Sequence, residues 1–332
     1  MDSFYCPSGY EPGDCCNDPT RCETENDLVD RLAKDGVYDR PPLNPDNPDK
    51  TPDSTHGAPG LAHSSGASRQ VPAFALFSGG HDSLTSTYMA MTQGYADAVV
   101  HVNTGIGIDE TRQFVRDTCR TYGWPLYEIH PPTSYDDLCL ARGWTRAKDG
   151  SGDRLYGLPG PGMHPVAYRM LKERALAAFA RKMKPWRGAD ALIYVTGVRR
   201  EESKVRMGRV ERWRVDRKKG WSWFAPNFDW TKADCNDLIE RYGIARNPVV
   251  DTLHISGECL CGTFASPGER SEIRLWYPAA DARIAALEAR VRDAGHLACR
   301  WGKRPPNVHR FQLSFDLDEQ MLCQSCPTRV AA

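Results

Sequence analysis

The sequence has no net charge and no long apolar run. Lysine and arginine together number 43, aspartate and glutamate also number 43, and the mean hydropathy is −0.56. Balanced charge gives no global attraction to nucleic acid or to a membrane surface. No stretch approaches the roughly 20 apolar residues that cross a bilayer, and the acidic, polar N-terminus is unlike a secretory signal. We therefore expect a soluble cytoplasmic protein with no membrane partner.

Apolar residues are also scarce in residues 1–70, which hold nine prolines. We expect this acidic leader to be largely disordered or draped over the surface, with a helix only at Asp27–Lys34. The four cysteines of this leader suit a small metal-binding knuckle. Our preferred interpretation is that they are free thiols on a flexible arm. These cysteines are Cys6, Cys15, Cys16 and Cys22.

A strand, a glycine turn and a helix start follow one another in Val71–Ser86, VPAFALFSGGHDSLTS. Adjacent glycines let successive amides converge on an anion, and the helix N-terminus adds free N–H groups and a positive dipole end. The spacing is not that of the Walker phosphate loop. We predict a phosphate cradle in which Asp82 holds a shielding cation such as Mg²⁺. The cradle residues are Ser78, Gly79, Gly80, His81, Asp82 and Ser83.

Strands and helices alternate after Val71, which predicts an α/β fold with a doubly wound, mostly parallel sheet. We place a nucleotide-binding domain at residues 71–255 and a cysteine-containing helical region at residues 256–332. Ligands of such sheets lie beyond the carboxyl ends of the strands. Several polar residues fall there or on a following helix and are candidate nucleotide-binding or catalytic groups. They are Asn103, Thr104, Gly105, Lys172, Arg199 and Arg200.

A basic stretch, Arg199–Lys219, carries ten Lys or Arg residues against four Asp or Glu residues. Aromatic residues interleave it, and Lys219-Gly220 suits a hairpin turn. Basic residues with exposed aromatics would suit a nucleic-acid strand. The plainer alternative is a solvated basic hairpin that covers the nucleotide.

Twelve cysteines are many for a cytosolic chain, in which disulfides are rare. Cys259 and Cys261 form a C-x-C pair, and Cys323 and Cys326 form a C-x-x-C pair. Four thiolates suit either zinc or an iron–sulfur cluster. Three further cysteines fall on predicted helices and are expected to be plain core or surface thiols, namely Cys119, Cys139 and Cys235.

Four ordered motifs resemble the phosphoadenosine phosphosulfate (PAPS) reductase family of PP-loop ATP pyrophosphatases. They are SGGHDS at 78–83, HVNTGIGIDE at 101–110, TGVRREES at 196–203 and FAPNFDWTKADCNDLIERYGIARNPV at 224–249. The resemblance implies a core that binds ATP or a related adenine nucleotide. It also favours a [4Fe–4S] cluster over Zn²⁺ at the four cysteines.

The family resemblance leaves the reaction open. We expect ATP-dependent sulfur transfer that forms AMP and pyrophosphate, with a separate sulfur donor and with nucleic acid as one candidate acceptor. The alternative is a sulfonucleotide reductase that releases sulfite with a thioredoxin-type reductant, although the family's Glu-Cys-Gly tail is missing. A third interpretation is a nucleotide-binding redox sensor without catalysis.

Overall fold

The computed structural model describes residues 71–187, 192–202, 211–296 and 300–303. It also describes the backbone of two short antiparallel strands nearer the N-terminus, β1 (Phe4–Tyr5) and β2 (Glu23–Thr24). The predicted helix at Asp27–Lys34, the four leader cysteines, and the C-terminal pair Cys323 and Cys326 lie outside the described residues. Within the described part, no helix is long and apolar enough to cross a membrane.

Eight further strands form two sheets. They are β3 (Ala73–Leu76), β4 (Ala98–Val102), β5 (Leu126–Ile129), β6 (Trp144–Thr145), β7 (Arg154–Leu155), β8 (Leu192–Val195), β9 (Trp213–Asp216) and β10 (Trp221–Phe224). The main sheet has the order β5-β4-β3-β8-β10-β9, while β6 and β7 form a separate hairpin. All neighbours in the main sheet are parallel except β9, which pairs antiparallel with β10 at the edge.

Nine α-helical segments connect and cover the strands. They are α1 (His81–Thr92), α2 (Asp109–Thr121), α3 (Tyr135–Asp137), α4 (His164–Tyr168), α5 (Arg174–Arg187), α6 (Lys232–Arg241), α7 (Pro248–Leu253), α8 (Glu269–Trp276) and α9 (Pro278–Asp293) within the described residues. A π-helical turn at Leu138–Arg142 extends α3, and another at Arg169–Glu173 joins α4 to α5. A 3-10 turn covers Arg200–Glu202.

Helices pack on both faces of the sheet, as the alternation of elements predicts. Successive side chains of a strand point to opposite faces. Phe74 and Tyr194 therefore pack against α5, where Phe74 meets Phe179 edge-to-face at 4.9 Å. Phe77 and Val99 pack on the other face against α1, α2 and α6. The predicted doubly wound, mostly parallel sheet is confirmed.

A third cluster of buried side chains joins the C-terminal helices to the sheet's loops. Ile106 and Ile108, just after β4, pack with Ile284 and Leu287 of α9 and with Trp301. The two helices α8 and α9 divide at Pro278, which stands in the first turn of α9. This packing places the cysteine-containing region directly against the carboxyl edge of the sheet.

Two local features go beyond what the sequence predicts. The glycine-rich stretch 143–162 contains the β6–β7 hairpin, whose Trp144 is buried and donates through Nε1 to the Gly157 carbonyl at 2.9 Å. Pro248 begins α7, with Asn247 as the N-cap, since proline suits the first helical turn.

Thr231→Ala should destabilise the protein by about 1 kcal/mol, because Thr231 and Asp234 form a capping box at the start of α6. Asp234 N donates to Thr231 Oγ1 at 3.2 Å, and Thr231 N donates to Asp234 Oδ2 at 2.7 Å. Urea unfolding measures the loss. Thr231→Ser keeps the hydroxyl and should retain most of the stability, so an equal loss in both variants would contradict the capping role.

Candidate functional site

The predicted phosphate cradle at Ser78–Ser83 (the phosphate loop) lies between β3 and α1. Hydrogen bonds of its own serines hold its conformation. Ser78 Oγ lies 2.9 Å from Ser83 Oγ, and Ser83 Oγ donates to the Gly80 carbonyl at 2.8 Å. Gly80, the N-cap of α1, provides no side-chain cap. The first amides of α1 are therefore left for an anion, as at other helix N-termini that bind phosphate.

Gly79 is required by the turn of this loop. Its φ is +81°, and an ideal Cβ there would lie 2.7 Å from Thr111 Cγ2. The fully buried Asn247 donates to the Gly79 carbonyl at 2.9 Å. The segment that precedes α7 thus holds the loop from behind and fixes the direction of its amides.

The Asp82 carboxylate is held by two cations. Arg199 Nε lies 3.2 Å from Oδ1 as an ion-pair contact, Arg199 Nη2 donates a hydrogen bond to Oδ2 at 3.2 Å, and Lys232 donates to Oδ1 at 3.0 Å. Burial alone would raise the pKa of Asp82, but Lys232 and Arg199 outweigh it and hold the pKa below its usual value. Asp82 is therefore ionised and engaged by positively charged side chains.

Arg199 and Arg200 point in different directions. Arg199 is 3 % exposed and faces Asp82. The Arg200 side chain is 64 % exposed, pairs with Asp229 and lies over the Phe228 ring at 5.1 Å. Of the two predicted arginines, the structure brings Arg199 to the phosphate loop and turns Arg200 away from it.

Gly197 brings the arginine-bearing loop into contact with the phosphate loop. An ideal Cβ at this position would lie 2.5 Å from the carbonyl carbon and oxygen of Asp82 and 2.6 Å from Ser83 N. A larger residue would push the two loops apart. The predicted loops after β3 and β8 therefore meet at one edge, as the parallel sheet requires.

The loop after β4 is built by Asn103. Its Nδ2 donates to Glu128 at 2.6 Å, and its Oδ1 accepts from Gly105 N at 2.9 Å. Thr104 Oγ1 donates to the Glu258 carbonyl at 3.1 Å. Asn103, Thr104 and Gly105 form a tight turn at the predicted edge of the sheet. The side chains of Asn103 and Thr104 make the hydrogen bonds that hold this turn in place.

A cavity of about 180 Å³ contains the C-x-C pair. The Cys259 and Cys261 thiols hydrogen bond each other, which lowers the pKa of Cys261 to about 6 with help from Thr263 and raises that of Cys259. Cys261 Sγ lies 3.2 Å from Thr263 Oγ1, which lies 3.4 Å from His164 Nδ1. The cavity therefore favours one thiolate and one thiol.

Lys172 belongs to this cavity and not to the phosphate loop. Its ammonium donates to Glu258 Oε2 at 2.8 Å, beside Cys259. Burial opposes the charged form, but Glu258 and Cys259 outweigh it and raise the pKa of Lys172. The lysine predicted to contact nucleotide is thus a permanent cation next to the thiols.

The segment 256–261 joins the cavity to the phosphate loop and to the loop after β4. An ideal Cβ on Gly80 would lie 3.4 Å from Ser256 Cβ, and one on Gly107 would overlap the Glu258 carbonyl oxygen. Ile108 N also donates to the Gly257 carbonyl at 2.7 Å. The phosphate loop, the Asn103 turn and the thiol pair therefore form one continuous site.

Sequence reasoning missed Lys232, Glu258, His164 and Thr263. Lys232 directly follows the Asp-Trp-Thr motif, and Glu258 directly precedes the C-x-C pair. Their positions next to these motifs could have identified them as candidate site residues. His164 and Thr263 are 99 residues apart, and only the fold brings them together.

The aromatic residues of the basic hairpin are buried or half-buried where the structure describes them. Trp221 is buried, its ring packs against Tyr194 at 5.6 Å, and Trp213 packs against Phe224. Lys219 pairs with Glu173 and Asp216. The β9–β10 hairpin extends the sheet, and contact with nucleic acid stays a prediction.

The predicted plain thiols, Cys119, Cys139 and Cys235, are all buried. Burial raises the pKa of Cys119 to about 12 and that of Cys235 to about 11. Among the described residues, no group of three potential ligands is placed to hold a metal ion. Cys259 and Cys261 are thus two thiols without a third ligand in the described part of the chain.

Comparison with known proteins shows what this chain is similar to. Adenosine 5′-phosphosulfate reductase of Burkholderia cepacia is 25 % identical over 205 residues, which are 60 % of this chain and 74 % of that protein. A phosphate complex of PAPS reductase from Candida auris is 15 % identical, with a TM-score of 0.36 over 54 % of this chain and 76 % of the other. FMN adenylyltransferase from Candida glabrata is 13 % identical, with a TM-score of 0.30 over 50 % of this chain and 46 % of the other.

The matched family domain covers most of the sheet, the phosphate loop and the loop after β4. The phosphoadenosine phosphosulfate reductase domain family matches residues 72–257, which run from the start of β3 into the segment before Cys259. More than half of the chain is covered, and the phosphate loop, the Asn103 turn and Arg199 all fall within the match. The chain belongs to the phosphoadenosine phosphosulfate reductase family.

Proposed function

We propose that this enzyme reduces an adenine sulfonucleotide, with the nucleotide phosphate at Ser78–Ser83 and the sulfonate towards the thiol cavity. The observation that carries the proposal is the continuity of the site. Ser256 lies against the phosphate loop, and Cys259 and Cys261 follow within five residues in a cavity that also holds Lys172. The Burkholderia relative, named as an adenosine 5′-phosphosulfate reductase, supports the same substrate class.

The reaction requires a thiolate, a second thiol and a dithiol reductant. One thiolate attacks the sulfonate sulfur, the sulfur–oxygen bond breaks, and the nucleotide leaves with the electron pair on its phosphate oxygen. The second thiol then attacks the S-sulfocysteine sulfur bonded to carbon, which releases sulfite and leaves a disulfide. A dithiol of thioredoxin type returns the pair to its reduced state. Lys172 stabilises the anionic sulfonate through charge.

ATP-dependent sulfur transfer is the second candidate. The uncapped amides of α1 would accept the phosphates of ATP as well as those of a sulfonucleotide. This reaction would cleave ATP to AMP and pyrophosphate and would need a sulfur donor and an acceptor, for which a nucleic acid is one proposal. A protein that only senses nucleotide would bind it and release neither sulfite nor pyrophosphate.

Sulfite should form from adenosine 5′-phosphosulfate or PAPS with a dithiol, and ATP should give no pyrophosphate. Cys259→Ser and Cys261→Ser should each abolish sulfite release, because each removes one of the two required thiols. Cys119→Ala removes a buried thiol outside the cavity and serves as the matched control. Pyrophosphate release from ATP with no sulfite from either sulfonucleotide would replace reduction by sulfur transfer.

Gly197→Ala should weaken nucleotide binding about tenfold, the worth of one charge-assisted hydrogen bond. The added methyl group would collide with the Asp82 peptide and displace the loop amides and Arg199. Calorimetric titration with adenosine 5′-phosphosulfate measures the change. Val198→Ala inserts no atom at the contact and is the control, so equal affinity in all three proteins would show that the loop contact does not shape the site.

A four-cysteine centre is a competing use of the same thiols. The described chain ends at Lys303, beside the cavity that Trp301 lines, twenty residues before Cys323. We propose that Cys323 and Cys326 join Cys259 and Cys261 to hold a [4Fe–4S] cluster or, as the alternative, Zn²⁺. The two described thiols fit half of such a donor set. A bound cluster would supply a redox-active centre beside the nucleotide.

Metal analysis of anaerobically purified protein tests whether the four cysteines bind a metal centre. If the centre exists, iron and sulfide, or zinc, should be present in the wild type and lost in Cys323→Ser and in Cys259→Ser, with Cys119→Ala retaining the metal. Thiol-alkylation mass spectrometry gives the complementary readout, since ligated thiols are protected. Metal-free protein with freely alkylated Cys259 and Cys261 would rule out the centre and leave the dithiol chemistry.

A further inference from the structure

Asp82 has the position expected of a cation ligand, yet its oxygens already have partners. Oδ1 contacts both Lys232 Nζ and Arg199 Nε, and Oδ2 accepts from Arg199. The Asp82 carbonyl also accepts from Asn227 Nδ2 at 3.1 Å, and Asn227 is fully buried. Both ends of the residue are thus fixed by neighbours from the loops after β8 and β10.

The two cations differ in what they can offer a ligand. Arg199 is 3 % exposed, whereas the Lys232 side chain is 43 % exposed. An ammonium group has three N–H donors, and Asp82 Oδ1 is the one hydrogen-bond acceptor that Lys232 Nζ has among the described residues. Lys232 therefore retains donors on the solvent side of the phosphate loop.

Charges near the start of α1 balance among the described residues. Lys232 and Arg199 share Asp82, and Arg199 also lies 3.6 Å from Glu201. Arg246 pairs with Asp251 and lies 3.4 Å from His81. Burial, together with Arg246 and Lys232, lowers the pKa of His81 to about 4, so the imidazole adds no charge. The uncapped amides of α1 and the partly exposed Lys232 ammonium therefore supply the attraction for an anion.

We propose that Asp82 is a positioning residue that directs Lys232 and Arg199 to the anionic groups of the nucleotide, so that phosphate binding needs no divalent cation. A metal ion at Asp82 would have to displace both side chains and leave the buried Arg199 with only the exposed Glu201 carboxylate, 3.6 Å away, which is costly. The proposal rests on the proposed nucleotide site and assigns Lys232 to it. It replaces the Mg²⁺ expected from the sequence with two side chains.

Calorimetric binding of adenosine 5′-phosphosulfate to the full chain tests the proposal, in excess EDTA and in millimolar MgCl₂. Wild-type affinity should be the same in both buffers. Lys232→Ala should weaken binding about tenfold, as expected for one hydrogen bond to a charged group, and Lys232→Arg should restore most of it. Lys218→Ala, an exposed lysine at the β9–β10 turn, is the matched control and should bind as the wild type does.

The Asp82→Asn variant tests whether loss of this carboxylate makes nucleotide binding tighter or weaker. If Asp82 only repels the anionic nucleotide, removing its charge tightens binding, whereas a positioning role predicts weaker binding because Lys232 and Arg199 are released. A ligand role for Mg²⁺ predicts instead that the wild type binds tightly only with MgCl₂ and that Asp82→Asn removes this dependence. Thermal unfolding of each variant verifies folding, and the Lys232 series stands if Asp82→Asn does not fold.

The outcomes separate the two proposals. A wild type that binds no nucleotide in either buffer overturns the proposed function and this inference together. Binding that requires Mg²⁺, or that is unchanged in Lys232→Ala, overturns the inference and leaves the proposed function intact.

Discussion

The contact between the Glu258 peptide and Gly107 is the constraint on which the site depends. The absence of a side chain at Gly107 lets the chain after α7 approach the loop after β4 at backbone distance. The hydrogen bonds from Thr104 and Ile108 to this segment secure the approach. Because the C-x-C pair follows at once, the close backbone contact sets the distance between thiol chemistry and nucleotide chemistry.

Electrostatics divide the site into two parts that share this segment. At the phosphate loop, Asp82 pairs with Arg199 and Lys232, and Arg199 also reaches Glu201. In the cavity, Lys172 pairs with Glu258 and remains charged beside the two thiols. A nucleotide with anionic groups at both positions would meet a cation at each, which is consistent with a substrate that carries a sulfonate beyond its phosphate.

Much of the fold follows from local pattern. The alternation of short buried strands with amphipathic helices predicts the parallel sheet, and the Thr-x-x-Asp spacing at Thr231 and the proline at 278 mark the starts of α6 and α9. Trp144 shows the limit of this reasoning. Its hairpin lies in a glycine-rich stretch with weak periodicity, and its burial depends on the chain that surrounds it. The burial of Trp221 likewise depends on where β10 joins the sheet.

The sequence by itself predicted the phosphate loop, since Ser78–Ser83 carries its serines, glycines and carboxylate in six consecutive residues between a strand and a helix. It also placed the loops after β3, β4 and β8 at one edge, because parallel strands share a direction. Only the tertiary structure decided which side chains meet there. Lys232 reaches Asp82 across 150 residues, and Lys172 reaches Glu258 across 86, while Arg200 turns to Asp229. The physical reason is that pairing of charges depends on distances between separate elements, which packing of the whole core sets and local sequence does not encode.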